Sequence, residues 1–265
     1  MTTATGTMLR RLYVVWRHPE TRKITPIGLL LQRGEGDDVS YTFGYLEATA
    51  GLDGFNPLPG LAALEQRYDS ATLFPVFANR LMPRDRSDFP DYLHRLDLQL
   101  DADPFEVLER SGGSRATDRI EVFAGPERTD AGDATSLFFV RGIRHLDGAT
   151  EAVNSLQIGD QLVVCDDPDN PVNARALLLA GGSAARVGWV PVYLVGHIHD
   201  LRRLIGVDPT FTVEHVNDPN TAPHMRVLCR VTASWPIGYT PFSSAEFQTV
   251  VNVDESSIAD DQSGT

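Results

Sequence analysis

Three stretches of this chain gather residues able to do chemistry. Gly196-His197-Ile198-His199-Asp200 brings two imidazoles and a carboxylate close together, and Asp166, Asp167 and Asp169 offer oxygens to a hard cation. Arg144 beside His145 pairs a guanidinium with an imidazole, a donor set suited to a phosphate oxygen and a planar base. The first two read better as structure. Positions two apart on a helix face different ways, so His197 and His199 are poorly placed to share a metal. Pro168, Asn170 and Pro171 interleave the aspartates and point to an Asx-stabilised turn. Gly112-Gly113 and Gly181-Gly182 read as turn dipeptides rather than phosphate cradles, and no Ser or Cys has a base at a recognisable spacing. Cys165 and Cys229 lie in apolar runs without metal-type spacing and read as reduced, buried thiols. No cofactor or metal is expected, and the chain reads as a binding protein rather than an enzyme.

The elements that must hold Arg144 and His145 are legible around them. Leu137 to Val140, Leu162 to Cys165, Ala176 to Leu179 and Val187 to Val190 are short apolar runs separated by Gly, Asp, Asn and Pro. That rhythm predicts a small, strongly bent sheet. After Pro191 the period changes: Leu194, Ile198, Leu201 and Ile205 mark one helix face. Arg226 to Trp235 resumes the strand pattern and is expected to close the sheet into a barrel.

Upstream, Leu12 to Trp16 and Pro26 to Leu31 read as strands, and Tyr41, Phe43 and Tyr45 alternate on one face of a third. Leu61 to Tyr68, Ala71 to Leu81 and Phe89 to Leu98 carry helical patterns. Asp103, Pro104 and Glu106 signal a capped helix ended by Gly112 and Gly113. The resulting reading is α+β: a strand-rich module at 1–110, a connector at 111–136 holding a strand-like run from Ile120 to Phe123, a small barrel with one or two helices at 137–235, and an extension at 236–265. The last dozen residues are expected to be a disordered acidic tail. Phe242 and Phe247 are read as docking on the protein's own surface, the commoner case, or as anchors for a partner.

Formal net charge is −13, but it is uneven. Residues 138–235 carry 8 basic against 10 acidic side chains, while 236–265 carry none against 5. No long basic stripe marks a duplex footprint, which argues against a sequence-nonspecific DNA coat. A pocket needing only two or three arginines is still compatible with this charge. With no membrane-length apolar run and no signal-type leader, a cytoplasmic location is expected.

Four ordered pieces resemble a HIRAN domain: Gly142-Ile143-Arg144-His145, Gly159-Asp160-Gln161-Leu162, the run Asp167 to Ala176 (DPDNPVNARA), and Val187-Gly188-Trp189-Val190-Pro191. The resemblance implies an SH3/OB-like barrel that grips the end of single-stranded DNA, notably a free 3′ hydroxyl. It places Arg144 on the family's arginine and His145 on the neighbouring aromatic position. Val172 falls on the loop tyrosine and Asn173 on the aspartate that follows it. Trp189 reads first as packing and second as a base platform, and Arg175 and Arg186 are secondary phosphate candidates.

Residues 1–110 resemble the N-terminal subdomain of HipA-type toxin kinases through Leu12 to Trp16, Tyr41 to Tyr45, Pro57-Leu58-Pro59 and Leu73 to Pro83, with no kinase following. This implies a second function class, a docking or antitoxin-like module that restrains a separately encoded kinase. The partners implied are thus single-stranded DNA and a protein such as a HipA-like kinase or a DNA-processing enzyme, with no membrane.

Overall fold

The computed structural model describes residues 9–115, 118–182 and 184–253. Two antiparallel sheets organise it. The first is built from β1 (Leu9–Arg17), β2 (Ile24–Arg33), β3 (Ser40–Tyr45) and β4 (Tyr68–Ser70). Three short helices follow, α1 (Pro75–Ala78), α2 (Phe89–Arg95) and α3 (Pro104–Ser111), before β5 (Ile120–Ala124) returns to pair with β1. The strand order is β4-β3-β2-β1-β5.

Pairing fixes which side chains meet. Leu12, Val14 and Trp16 of β1 share a core with Tyr41, Phe43, Tyr45, Phe77, Phe105 and Leu108, so this face is covered by the helices. Val15 points the other way, into the core of the second sheet. Strand β2 is buried on both faces, which is why Ile27 to Leu31 is apolar without alternation. The Asp103 side chain accepts from the N–H groups of Phe105 and Glu106 at 2.8 and 2.9 Å, and Gly112 ends α3 with φ 70°. The helical patterns at 61–68 and 71–81 are largely overridden. Only Pro75–Ala78 is α-helical, because Leu61 is drawn beneath Tyr45, whose hydroxyl donates to its carbonyl at 2.7 Å and accepts from Leu58 N–H at 2.7 Å. A chain tied at those points runs on as a loop into β4.

The second sheet comprises β6 (Glu127–Arg128), β7 (Asp133–Phe139), β8 (Gln161–Asp167), β9 (Ala176–Ala180), β10 (Arg186–Trp189), β11 (Thr210–Val216) and β12 (Val227–Ser234). Its order is β10-β9-β8-β11-β12-β7-β6. Helix α4 (Ala149–Asn154) follows β7, and α5 (Val192–Ile205) follows β10. Leu194, Ile198 and Leu201 face the core, as their spacing predicts.

The barrel expectation needs correcting. The ladder does not close; the chain just past β7 meets β10 at one bridge, where Arg141 and Trp189 exchange two backbone hydrogen bonds of 2.8 Å. Beyond Arg141 the chain turns away at Gly142, so no further rungs can form. Cys165 also departs from expectation: β8 alternates, burying Leu162 and Val164 and exposing Val163 and Cys165, while Cys229 is buried.

The two sheets share a core. Phe123 of β5 stacks on Tyr193 of α5 at 4.3 Å, and Val15 and Phe123 lie among Phe138, Leu162 and Phe211. Residues 236–253 return to the first sheet. Phe242 and Phe247 pack on Tyr13 at 4.9 and 5.3 Å, and Val250 N–H donates to Tyr45 O at 2.9 Å. The phenylalanines therefore dock on the chain itself. The acidic tail at 254–265 lies outside the described residues. No described helix is long and apolar enough to cross a membrane.

Candidate functional site

The predicted arginine and histidine sit where β7 stops pairing. After the Arg141–Trp189 bridge, Gly142 adopts φ 75°, a left-handed conformation that favours glycine. The indole of Trp189 fills the space beside it: a Cβ on Gly142 would lie 2.4 Å from Trp189 Cε3. A 3₁₀ turn over Ile143–His145 follows, with Ile143 buried as its anchor and Arg144 and His145 exposed. Arg144 Nε donates to His145 Nε2 at 3.1 Å, so that ring nitrogen is the acceptor in this arrangement. Among the described residues no carboxylate forms a salt bridge with Arg144, and Asp147 does not engage it. Arg141 behaves differently, with its guanidinium held by Glu121 and 3.4 Å from the Tyr193 hydroxyl.

The facing loop, Asp167 to Ala176, is built from Asx turns. Asn170 Oδ1 accepts from the N–H groups of Val172 and Asn173 at 3.0 and 3.2 Å, and Asn173 Oδ1 accepts from Arg175 N–H at 3.0 Å. With its carbonyl so used, the Asn173 amide group is left as a donor. Asp167 accepts from Trp189 Nε1 at 2.8 Å and from Asn170 Nδ2 at 3.2 Å. Trp189 therefore touches both halves of the site, its ring against Gly142 and its N–H on the loop. That is the packing role expected first for it. Val172 is 74% exposed, and the Arg175 side chain is exposed beside it.

The other chemical clusters are dispersed. His197 is buried, with Nδ1 2.6 Å from the Tyr239 hydroxyl, whereas His199 Nε2 reaches the Arg175 carbonyl at 3.0 Å. Burial pushes the pKa of His197 down to about 4. Asp166 is engaged by Arg202 on α5, and Asp167 by Trp189, so the aspartates do not converge. Among the described residues no cluster of three or more His, Cys, Asp or Glu side chains could hold a metal. Two surface clefts, of about 280 and 460 Å³, are lined by Ala152, Leu156 and Gly181 in one case and by Trp16, Pro57 and Arg119 in the other, and none of the predicted residues lines either.

Sequence reasoning missed two contributors. His224, in a 3₁₀ turn at Pro223–Met225, lies near enough that Arg141 and Arg144 add to burial in lowering its pKa. Arg141 itself, one residue before Gly142, lies just past β7, and its ion pair with Glu121 depends on the approach of β5. Nothing local in the sequence marks His224, because it is brought to the site by the β11–β12 connection.

No protein-family model matches the chain, and no curated protein matches it. Two solved structures were found. A protein from Lactobacillus plantarum is 18% identical, with 38% of this chain and 99% of that chain covered at a TM-score of 0.32. The HIRAN domain of human HLTF is 16% identical, with 40% of this chain and 84% of that chain covered at a TM-score of 0.30. Neither superposition is close enough to carry an argument.

Proposed function

We propose that the chain is a non-enzymatic nucleic-acid-binding adaptor that takes the end of a single DNA strand, with Arg144 on the terminal phosphodiester. The observation that carries the reading is the state of Arg144: an exposed guanidinium without an acidic partner among the described residues, on a turn that is rigidly based. A guanidinium so placed offers two parallel N–H bonds to a phosphate. His145 supplies a face for the last base, and the Asn173 amide supplies a donor for a terminal hydroxyl. Val172 gives no aromatic platform, which forfeits ~1–3 kcal/mol of stacking and sets the affinity of this site below that of one carrying a tyrosine there.

Fluorescence anisotropy with single strands bearing a free or blocked 3′ hydroxyl tests the proposal. The expected result is a preference for the free end, weakened about ten- to a hundredfold by Arg144→Ala, as loss of a charge-assisted contact implies. Equal binding of both strands, or binding indifferent to Arg144→Ala, would refute it. No binding even at low salt would also refute it and favour a protein-docking role, including restraint of a HipA-like kinase.

A further inference from the structure

The site does not stop at the second sheet. The register of β1 and β5 sets Val15 opposite Glu121 and Trp16 opposite Ile120, and Arg17 N–H donates to Arg119 O at 2.9 Å. Strand alternation then puts Arg17, Arg119 and Glu121 on the face that Val15 turns toward the second sheet. Glu121 is the residue that holds Arg141, so Arg17 and Arg119 lie one same-face position along from the contact that anchors the residue before Gly142.

The β1–β2 turn adds to this edge. His18 N–H donates to Lys23 O at 2.8 Å and Arg22 N–H to His18 O at 3.2 Å, while His18 Nδ1 accepts from Glu20 and Thr21 N–H groups. That network holds exposed Arg22 at φ 62°, an uncommon conformation for a residue with a Cβ. Arg22 and Arg141 both bear on Arg17, adding to burial in lowering its pKa. Among the described residues, Arg17, Arg22 and Arg119 form no salt bridge. The nearby acids are largely taken: Glu121 by Arg141 and Tyr193, and Asp118 by Arg80. Glu20, in the turn itself, is exposed. An acidic protein thus leaves several like charges crowded and unneutralised on one edge. A bound polyanion would relieve that repulsion.

We infer that this edge of the first sheet is a second phosphate-binding segment, along which Arg17, Arg22 and Arg119 receive the backbone of the strand whose end sits at Arg144. The inference rests on the proposed strand-end reading and extends it: the front sheet becomes part of the nucleic-acid interface, and the ligand is an end followed by several nucleotides.

The test compares a 3′-hydroxyl dinucleotide with a 3′-hydroxyl octanucleotide, using the full chain, wild type and Arg17→Gln/Arg22→Asn. Asn accepts positive φ, so the second change removes charge without strain. Arg119→Gln serves as an independent variant on an exposed side chain. The double variant is expected to bind the octamer roughly tenfold more weakly at 50 mM salt, as the loss of two surface ion pairs, one of them half-buried, allows. Its salt slope should fall by about 1.4, at ~0.7 per single-strand phosphate. Dinucleotide binding should be unchanged. Octamer binding and slope equal to wild type in both variants, with Arg144→Ala still deleterious, would overturn the extension alone. Failure of the wild type to bind either strand would overturn the strand-end reading and the extension with it.

Discussion

Gly142→Ala probes the joint on which the site turns, and its cost can be worked from the geometry. A Cβ at φ 75° meets the left-handed penalty of about 1–2 kcal/mol. It would also lie 2.4 Å from Trp189 Cε3, where ordinary contact begins near 3.4 Å, so the ring must retreat by about 1 Å. A shift of that size carries Trp189 Nε1 from 2.8 Å beyond hydrogen-bond range of Asp167. Losing a bond to a charged acceptor adds about 1.5–3 kcal/mol. The total, about 2.5–5 kcal/mol, is a large part of the 5–15 kcal/mol typical of a folded domain.

A control separates the two costs. Gly148, before α4, also has φ 75°, but a Cβ there meets nothing within 4 Å. Gly148→Ala therefore carries the backbone penalty alone. Urea unfolding followed by far-UV circular dichroism should place Gly142→Ala about 1.5–3 kcal/mol below Gly148→Ala, the value of the displaced indole contact. Near-UV dichroism should report the moved indole, and strand-end affinity should fall only in Gly142→Ala. Equal destabilisation of the two variants, with wild-type strand binding by Gly142→Ala, would refute the view that Trp189 braces the turn against the loop.

Two further outcomes follow from burial. His197 has a folded pKa near 4 against about 6.5 when unfolded, so the unfolded chain takes up the proton first; stability is complete above pH 6.5 and falls by about 3 kcal/mol as pH drops to 4. Chemical denaturation across that window should show a steeper loss in wild type than in His197→Gln, the difference cancelling His224, which shifts in the same direction, and a parallel pH dependence would contradict it. For the thiols, a chromogenic disulfide reagent should titrate Cys165 at once in the native protein and Cys229 only after unfolding, because burial removes the latter from contact and pushes its pKa up; immediate reaction of both would contradict the packing of β12.

Much of the fold was legible where local pattern and tertiary demand agree. The apolar runs at 137–140, 162–165, 176–179 and 187–190 fall on β7 to β10, and the period change after Pro191 falls on α5. Pattern failed where long-range contacts decide. Leu61 to Tyr68 has helical spacing, yet Tyr45 captures Leu61 and prevents the turn from repeating. Strand β11 alternates as Thr-Phe-Thr-Val, but its polar half disguised a central strand whose Phe211 and Val213 are fully core. Helix α4 lacks a side-chain cap and is shorter than a stable isolated helix, so only burial of Ala149, Ala152 and Val153 sustains it. Cys165 is exposed because β8 alternates, whereas its apolar run alone suggests burial on both faces. At the site, Arg144 and His145 were visible as residue types beside a glycine. The contact of Trp189 with Gly142 and its bond to Asp167 were not, since both depend on how β10 meets the end of β7.

The same distinction governs charge. A net of −13 suggests a chain that repels polyanions, and averaged over the whole surface it does. Yet interactions between exposed charges fade beyond a Debye length of ≈ 8 Å at physiological salt, so a bound phosphate responds to its near neighbours rather than to the total. What matters is which acids stand free close to it. The β1–β5 register sets Arg17 and Arg119 on the face that carries Glu121, and Glu121 is already engaged by Arg141. The acidic excess of residues 236–265 lies mostly at 254–265, among residues not described here. Charge per segment therefore underestimates such an edge: its arginines come from β1, from the turn after it, from the residue before β5 and from the end of β7. Only pairing in three dimensions makes them neighbours.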